Sequence, residues 1–509
     1  VLLCSGFALY SFFRLSAAEG QKDFNLYELV PSTTSAVFVT DDVLEFVAEV
    51  DELTCSKNQQ YLYVSKLFSY LKQSLYALSE DTPHGLSRQM NQMLISFHEP
   101  DNERNQVLYC RLGNGDKELV NRFVRKYISS LYPPKTFIYK GEEIIIYPMA
   151  DGDFLACYLT SDFMALSFQK KLIENVIDAY KSGKSLADDS TFTGIRAPKK
   201  SAAAATIYTR MQGMMGWTEF DMKMKDDFIY FSGITHDADT CFAFINQLRQ
   251  QQSVKGFPGE VLPSTAFYFS RQGITDWVSL LSYGNAQGQS VPARTSEVQN
   301  RDKEFSRYLM ENAGQDLVAC LFQREDTLQD AAAVLSLSVA DVTEAERMLR
   351  ALVNAAPADE GRRNPRITFC YTVNKAYPIY RLPQTTLFEQ LTSFAEPTLD
   401  VYAAFYGGRL LLAPDADALA HYIRQLDKGE VLNGAMVYQT GMDHLSDSYH
   451  FMLMADFDHI FQQSENHVRF VPDFFLRNAD FFRHFTLFVQ FACADGVVYP
   501  NIVLKYKSE

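Results

Sequence analysis

Residues 29–47, LVPSTTSAVFVTDDVLEFV, have a counterpart in residues 261–278, VLPSTAFYFSRQGITDWV. Each segment places Pro-Ser-Thr after two apolar residues and continues into an apolar run that is typical of a strand. A match of this kind inside one chain indicates that the same fold occurs twice. Three further pairs of segments follow these openings in the same order along the chain.

The second pair consists of residues 96–128 and 321–353, which align without a gap. In both, an extended apolar run and a polar stretch lead into a segment with helical spacing of its apolar residues. These positions are Val120, Phe123, Val124, Tyr127 and Ile128 in the first segment and Ala345, Met348, Leu349, Leu352 and Val353 in the second. The spacing predicts one buried helix face in each copy.

The third pair, residues 166–186 and 412–432, also aligns without a gap. Each segment predicts a helix that follows a strand. The apolar helix positions are Ile173, Val176, Ile177 and Tyr180 in one copy and Leu419, Tyr422, Ile423 and Leu426 in the other. Gly183 and Gly429 follow these helices, and we expect both to end them in a left-handed conformation.

The fourth pair lies near Phe220 and Leu487, where each copy predicts a hairpin turned at Asp226-Asp227 or Asp495-Gly496. Four ordered matches predict a tandem duplication with a boundary near residues 250–260. We therefore expect repeats at residues 21–255 and 256–509, with insertions in the second near 382–397 and 459–485. Because neighbouring strands look hairpin-connected, the predicted fold class is α+β, with a mixed, largely antiparallel sheet in each repeat.

The composition is that of a folded protein with two domains. A chain of 509 residues exceeds the usual size of a single hydrophobic core. Hydrophobic residues make up 47% of the chain and aromatic residues 14%, which is enough to form packed cores. The formal net charge of −15 and the lack of a run rich in lysine or arginine argue against a nucleic-acid partner.

The first 13 residues, VLLCSGFALYSFF, run from Val1 to Phe13 without a charge and are followed by Arg14. A spanning helix needs about 20 such residues, so we expect this run to be the second half of an anchor in a lipid bilayer. A signal-peptide remnant and a buried helix are the alternatives. Retention of the anchor would place the rest of the chain on one side of a membrane, which we expect to be the periplasmic, extracytoplasmic side.

The motifs of known chemistry are weak or absent. KSGKS at residues 181–185 lacks the first glycine of a phosphate loop and follows a helix instead of a strand. Asp415 precedes a helix and fits a helix start better than a calcium loop. The chain shows no GxSxG, HExxH or dinucleotide GxGxxG pattern. We therefore predict no catalytic, metal or cofactor-binding residues, no cofactor and no enzymatic activity.

The histidines and cysteines give only weak indications of a metal site, an acid-base cluster or disulfides. Five of the nine histidines fall late in the chain and, with Asp456 and Asp458, are the only hint of a metal or acid-base cluster; they are His444, His450, His459, His467 and His484. Their spacing matches no zinc motif. The eight cysteines are too far apart for a CxxC motif, so we expect buried, small apolar side chains, while one or two disulfides stay open.

Two apolar segments are candidate partner-binding surfaces. The first is MQGMMGW at residues 211–217, which combines adaptable methionines with a tryptophan. The second is the phenylalanine-rich insertion near 459–485. The candidate residues are Met214, Met215, Trp217, Phe470, Phe474, Phe475, Phe481 and Phe482. The alternative interpretation of the insertion is a lid over the protein's own core.

The membrane-proximal start, together with LVPSTTSAVFV and the repeated VLPSTAFYF, resembles the opening Leu-Pro-x-x-Thr strand of bacterial envelope proteins in domain-of-unknown-function family 3352. The resemblance covers the openings of both copies. It implies an extracytoplasmic, membrane-anchored protein without known catalytic residues, so no site residue is carried over from it.

The predicted function is that of a non-enzymatic scaffold or accessory subunit that binds other envelope or membrane proteins. A module that binds or transports a lipid or another apolar ligand is the first alternative, and it would need a cavity between sheet and helices. An uncharacterised hydrolase, with residues assembled from both copies, is the second.

Overall fold

The structure is a computed structural model, and it describes residues 24–57, 92–98, 104–113, 116–123, 132–149, 152–195, 203–210, 216–235, 243–278, 280–281, 295–324, 331–355, 365–373, 375–392, 400–463, 471 and 473–507. The predicted anchor from Val1 to Phe13 lies outside these residues. So do Met214, Met215 and Phe470.

The chain divides into two compact units. Unit 1 comprises Val1–Glu52 and Tyr61–Met224, and unit 2 comprises Leu53–Gln60 and Lys225–Glu509. Both contain strands and helices, which agrees with the predicted α+β class.

The strands are β1 Ala36–Thr40, β2 Met93–Phe97, β3 Gln106–Arg111, β4 Lys135–Tyr139, β5 Glu142–Pro148, β6 Phe154–Leu159, β7 Phe163–Ser167, β8 Ala205–Thr209, β9 Thr218–Lys225, β10 Phe228–Thr235, β11 Val254–Lys255, β12 Ala266–Gly273, β13 Ala313–Gln323, β14 Ala331–Val339, β15 Ile367–Tyr371, β16 Ala376–Pro383, β17 Asp400–Tyr406, β18 Arg409–Ala413, β19 Ser448–Tyr449, β20 Phe451–Asp456, β21 Phe485–Ala494 and β22 Val497–Tyr506.

The helices are α1 Val43–Glu52, α2 Thr54–Lys57, α3 Asp116–Phe123, α4 Lys170–Ser182, α5 Ser190–Ile195, α6 Ala243–Arg249, α7 Ser296–Asn312, α8 Val342–Ala355, α9 Leu387–Leu391, α10 Ala416–Asp427, α11 Met436–Met442, α12 Phe457–Phe461, α13 Asp473–Arg477 and α14 Ala479–Phe482. Short 3-10 helices lie at Leu26–Leu29, Pro258–Glu260 and Leu432–Gly434.

The sheet of unit 1 is antiparallel and has the order β4-β5-β6-β7-β3-β2-β1-β8-β9. Its core lies on the face against which α4 packs, and Ile173, Val176 and Ile177 of that helix are buried there as their spacing predicts. Full burial of each such side chain contributes roughly 1.5–3 kcal/mol to stability. Tyr180, the fourth predicted position, is 40% exposed because it lies at the edge of the packed face.

The sheet of unit 2 is also antiparallel and has the order β15-β16-β17-β18-β14-β13-β12-β20-β21-β22-β10. The strands β11 and β19 form a separate two-stranded ribbon. Leu419, Tyr422 and Ile423 of α10 are buried in the main core, where the Tyr422 ring meets the Phe322 ring edge-on at 5.5 Å.

The Pro-Ser-Thr segment of unit 1 is held by the loop that follows α4. Pro31 forms an isolated β-bridge with Ser185, and the Leu186 amide donates a hydrogen bond to the Val30 carbonyl at 2.9 Å. Gly183 ends α4 with φ of 64°, the left-handed conformation that the sequence predicts. The turn at this glycine directs the chain back toward β1.

The corresponding segment of unit 2 is held by the loop that follows α10. Pro263 forms an isolated β-bridge with Val431, and the Leu432 amide donates to the Leu262 carbonyl at 2.9 Å. Gly429 follows the helix with φ of 75°, so the left-handed conformation predicted for it is confirmed as well.

Two other local predictions are confirmed. Asp415 caps α10, because its carboxylate accepts a hydrogen bond from the Ala418 amide at 2.7 Å. The turn residues Asp226 and Asp495 each have φ of 51°, as tight hairpin turns require.

The predicted insertion near 382–397 contains α9, which lies between β16 and β17. Asp302 of α7 anchors the start of this segment: its carboxylate accepts from the Thr386 amide at 2.8 Å and from the hydroxyls of Thr385 and Thr386 at 2.8 and 2.7 Å. The carboxylate is buried, and these hydrogen bonds offset the cost of burying its charge.

The cysteines behave as the sequence predicts. Those that the structure describes carry free thiols, and five of them are buried; the five are Cys55, Cys110, Cys157, Cys320 and Cys370. Cys493 is half-buried.

Candidate functional site

Trp217 lies inside unit 1. Its side chain is 1% exposed, and its ring meets the Phe192 ring edge-on at 5.1 Å. The Arg210 guanidinium lies 4.9 Å from the centre of the indole. This packing makes Trp217 part of the core, so it offers no surface to a partner.

The phenylalanines of the insertion near 459–485 pack against one another. Phe482 is buried, and Phe475 and Phe481 are half-buried. The Phe475 ring lies 5.0 Å from Phe457, and the Phe481 ring lies 4.9 Å from Phe485. These contacts support the lid interpretation. Phe474 lies in α13, and its side chain is outside the described part of the molecule.

The late histidines occupy separate places. The His444 ring packs on Phe228, His450 accepts a hydrogen bond from the Cys493 amide, and the His484 ring faces Tyr506. His467 lies outside the described residues. Among the residues that the structure describes, no group of three or more histidine, cysteine or acidic side chains is arranged to hold a metal ion.

Among the described members of the predicted cluster, Asp456 and His459 are brought together by the fold. Asp456 caps α12, lies 3.4 Å from the His459 imidazole and accepts from the Lys507 ammonium at 2.7 Å. Burial acts to raise the pKa of Asp456, but His459 and Lys507 outweigh it and hold that pKa below its usual value. The hydrogen bond to Asp456 raises the pKa of His459. The pair stabilises a helix start.

A polar row in unit 1 was not predicted from the sequence. The Ser96 hydroxyl lies 2.9 Å from His98 Nε2 and 3.0 Å from the Tyr109 hydroxyl. Burial lowers the pKa of His98 to about 4, so its imidazole is neutral at pH 7. A serine beside a neutral imidazole is the arrangement of many nucleophiles. Ser96 is 0% exposed, however, so a substrate cannot contact its hydroxyl in this structure.

A second polar cluster lies in unit 2. Asp316 accepts from Arg271 at 3.0 Å and from Arg409 at 3.2 Å, and Arg409 also donates to the Ser336 hydroxyl at 2.6 Å. Burial acts to raise the pKa of Asp316, but the two arginines hold it below its usual value. Because both guanidinium groups are bound to acceptors of the protein, the cluster stabilises the sheet and presents no ligand site.

A small cavity of about 30 Å³ lies in unit 2 between α7, α8 and the segment after β16. Arg301, Phe305, Val353 and Leu382 are among the residues that line it. A cavity of this volume admits water-sized molecules and is too small for a lipid.

Exposed apolar side chains concentrate on β4 of unit 1 and β15 of unit 2, which we call the outer strands. Among the described strands, β4 pairs only with β5, and β15 pairs only with β16, so each has one free edge. On β4, Phe137 is 43% exposed and Ile138 is 72% exposed. On β15, Phe369 and Tyr371 are 54% and 71% exposed.

The outer strands are the candidate functional site. An unpaired strand edge with apolar side chains is a surface to which another chain binds readily. These residues are not among the candidates predicted from the sequence, although the apolar runs KTFIY and ITFCY indicate them. Runs as apolar as these are unusual in a strand that stays exposed to solvent.

No family model matches the chain, and no curated protein or solved structure matches it. The resemblance at residues 29–47 and 261–278 therefore stays a prediction. Within the described residues, no helix is both long enough and apolar enough to cross a membrane.

Proposed function

We propose that this protein is a non-enzymatic scaffold or accessory subunit that binds other envelope proteins, is anchored in a membrane through its first residues, and arose by tandem duplication. The exposed apolar side chains of the outer strands carry the proposal. Their burial by a partner would remove apolar surface from water at roughly 25 cal/mol per Å².

The duplication is supported by the order of the strands. In unit 1, β4 to β7 lie side by side and are followed by β3, β2, β1, β8 and β9. In unit 2, the strands β15 to β18 are followed in the same way by β14, β13, β12, β20 and β21. The paired bridges at Pro31 and Pro263 add a second, independent correspondence.

A role in protein binding is favoured over the lipid-binding alternative by the exposed apolar side chains of the described residues. A lipid carrier needs a cavity of several hundred Å³ lined by apolar side chains. The cavity in unit 2 has about a tenth of that volume, whereas the outer strands expose aromatic rings to solvent. The apolar surface is thus available to a macromolecule at the sheet edges.

The envelope location is supported by the uncharged run from Val1 to Phe13 and by the resemblance to an envelope family. Both arguments come from the sequence. A protein held at a membrane by one segment meets its partners at high local concentration, which favours weak docking surfaces such as a single strand edge.

Co-purification from detergent-solubilised membranes tests the proposal. The triple variant Ile138→Ser, Phe369→Ser and Tyr371→Ser removes apolar surface from both outer strands. We expect it to lose the proteins that co-purify with the wild type while its stability changes little, because exposed side chains contribute little to folding.

Met436→Ser is the matched control, since Met436 is 76% exposed and belongs to α11, not to an outer strand. This control should retain every partner of the wild type. An unchanged set of partners in the triple variant would contradict the proposal.

A further inference from the structure

The outer strands share a chemistry that defines their partner. We propose that each binds, as an added antiparallel strand, an extended protein segment that is apolar in its middle and acidic at both ends. This inference deepens the proposed function and rests on it. Four features of the described residues carry it: the direction of the backbone groups, the face of the side chains, the flanking charges and the recurrence of all three in both units.

The backbone of β15 directs free groups outward at alternate residues. The Thr372 amide donates to the Lys375 carbonyl at 3.0 Å, and the Arg381 amide donates to the Arg366 carbonyl at 2.9 Å, so the even-numbered residues bond toward β16. Bonding alternates along an antiparallel pair. Phe369 and Tyr371 therefore point their amide and carbonyl groups away from β16, toward an added strand.

The side chains of these same residues lie on the exposed face. Cys370, between them, points the other way, and its thiol lies 3.6 Å from the Ala420 carbonyl of α10. Phe369, Tyr371 and Val373 alternate with it, and Val373 is 96% exposed. An added strand would bring its own alternate side chains beside these rings, where cross-strand pairs with aromatic rings stabilise the pairing.

Positive charges stand at both ends of each outer strand. Arg366 and Lys375 are exposed on either side of β15, and Lys135 is exposed at the start of β4. Lys140, at the end of β4, is also exposed and pairs with Asp178 at 2.7 Å, so a bound acidic residue would share this lysine with Asp178. The chain as a whole carries a formal net charge of −15, so these ends differ in sign from the average surface. Acidic residues at both ends of a bound segment would meet opposite charges.

Unit 1 repeats the backbone pattern of unit 2. Lys140 and Gly141 form the turn between β4 and β5 with φ of 49° and 83°, a two-residue hairpin whose closing pair is Tyr139 and Glu142. That pair is hydrogen-bonded in such hairpins, so Ile138 directs its amide outward. Ile138 thus holds the same place on β4 as Tyr371 on β15, one residue before the closing pair of the hairpin.

A second copy of the chain fits less well than an acidic segment. Antiparallel pairing of β4 with another β4, centred on Ile138, would place Lys140 opposite Thr136 and bring lysines from both copies to the same short ladder. Lys140 of one copy and Lys135 of the other would then lie at neighbouring positions of the ladder, whereas an acidic segment would bring opposite charges there. Self-association is therefore one of the outcomes that the experiment distinguishes.

The test uses the full chain and a fluorescein-labelled ten-residue peptide, Glu-Glu-Thr-Val-Thr-Val-Thr-Val-Glu-Glu, in a fluorescence anisotropy titration. The double variant Ile138→Pro and Phe369→Pro removes one outward amide from each outer strand without touching the bonds to β5 or β16. The double variant Ile138→Ala and Phe369→Ala keeps both amides. We expect the proline variant to bind at least about tenfold more weakly than the alanine variant, a difference of about 1.4 kcal/mol.

Two changes in the peptide provide measurements that do not depend on how the variants fold. Replacing its four glutamates by lysines should weaken binding about tenfold, equivalent to about 1.4 kcal/mol. Methylation of alternate backbone nitrogens on the edge that pairs should abolish binding, because the added strand loses its donors.

Strand addition would be overturned if the proline and alanine variants bound the peptide equally well. It would also be overturned if the methylated peptide bound as tightly as the unmethylated one. If the lysine peptide bound as tightly as the glutamate peptide, the acidic character of the partner would be contradicted. A wild-type protein that binds no peptide but dimerises through the outer strands in sedimentation would also overturn the inference in favour of a second copy.

If the peptide does not bind while co-purification still depends on the outer strands, the proposed function stands without this inference. If the peptide binds while the serine variant keeps all partners, the proposed scaffold role fails instead.

Discussion

Burial decides the protonation state of His98. His98 lies at the end of a polar row with Ser96 and Tyr109, and burial lowers its pKa from 6.5 to about 4. The neutral imidazole shares a hydrogen bond with the Ser96 hydroxyl in the folded state. Proton uptake by His98 therefore competes with folding.

We predict that unit 1 loses stability in mild acid through His98. Because the folded pKa lies below the unfolded value, the unfolded chain binds the proton first as the pH falls. The stabilisation is complete above pH 6.5 and is lost toward pH 4, by up to about 3 kcal/mol. Urea unfolding of a Trp277→Phe background, in which Trp217 reports on unit 1, measures this loss.

His98→Gln should flatten that pH dependence, since glutamine still bonds to Ser96 but does not titrate. His444→Gln is the control, because His444 is exposed on unit 2. A slope between pH 4 and 6.5 that is the same for wild type and His98→Gln would show that another group is responsible.

At the scale of the element, the ends of the long helices are set by left-handed glycines. Gly183 and Gly429 have φ of 64° and 75°, and a Cβ added at either one would meet no atom within 4 Å. Space is therefore available at both positions, and only the backbone conformation opposes a side chain.

We predict that Gly183→Ala and Gly429→Ala each lower the free energy of unfolding by about 1 kcal/mol, the strain of an alanine at positive φ. Chemical denaturation gives the value. Gly183→Asn and Gly429→Asn should lower the free energy of unfolding by less, because asparagine tolerates this conformation better than alanine.

Gly194 is a suitable comparison position, since it lies in α5 without a positive φ and an added Cβ would also meet no atom. Gly194→Ala should leave stability unchanged or raise it slightly, because alanine favours a helix. A loss at Gly194 as large as the losses at Gly183 and Gly429 would contradict the conformational explanation.

At the scale of the whole molecule, the proposed membrane attachment depends on the start of the chain. Residues 1–23 precede the part that the structure describes, and their uncharged run predicts anchoring. The described units carry their apolar residues in two cores and on the outer strands. Attachment should therefore depend on the first segment alone.

We predict that the full chain resists extraction from membranes by alkaline carbonate and that a chain lacking residues 1–23 is released. The free-energy cost of withdrawing an apolar helix from lipid is what holds the full chain. Protease added outside spheroplasts should digest the two units. Release of the full chain by carbonate would contradict the anchor, and protection of the units would contradict the extracytoplasmic side.

Local patterns in the sequence determined much of this protein. Periodic apolar residues predicted the buried faces of α4 and α10, and glycine and aspartate predicted the helix ends and hairpin turns. These features depend on backbone conformation and on neighbours a few residues apart, which the sequence states directly. The repeated segments predicted the α+β class and an antiparallel sheet in the same way.

Only the tertiary structure decided which apolar residues are covered. Trp217 and Phe482 look like docking residues in the sequence, yet they are buried, whereas Phe369 and Ile138 resemble core strand residues and are exposed. Exposure depends on which strand lies at the edge of a sheet, and the order of the strands is set by pairings between segments that are distant in the chain.

The polar row of Ser96 and His98 is visible in the sequence as two nearby residues. Its third member, Tyr109, and the burial of the row depend on pairing with a neighbouring strand. Long-range pairing thus placed the candidate site, because a strand edge exists only once the sheet has formed.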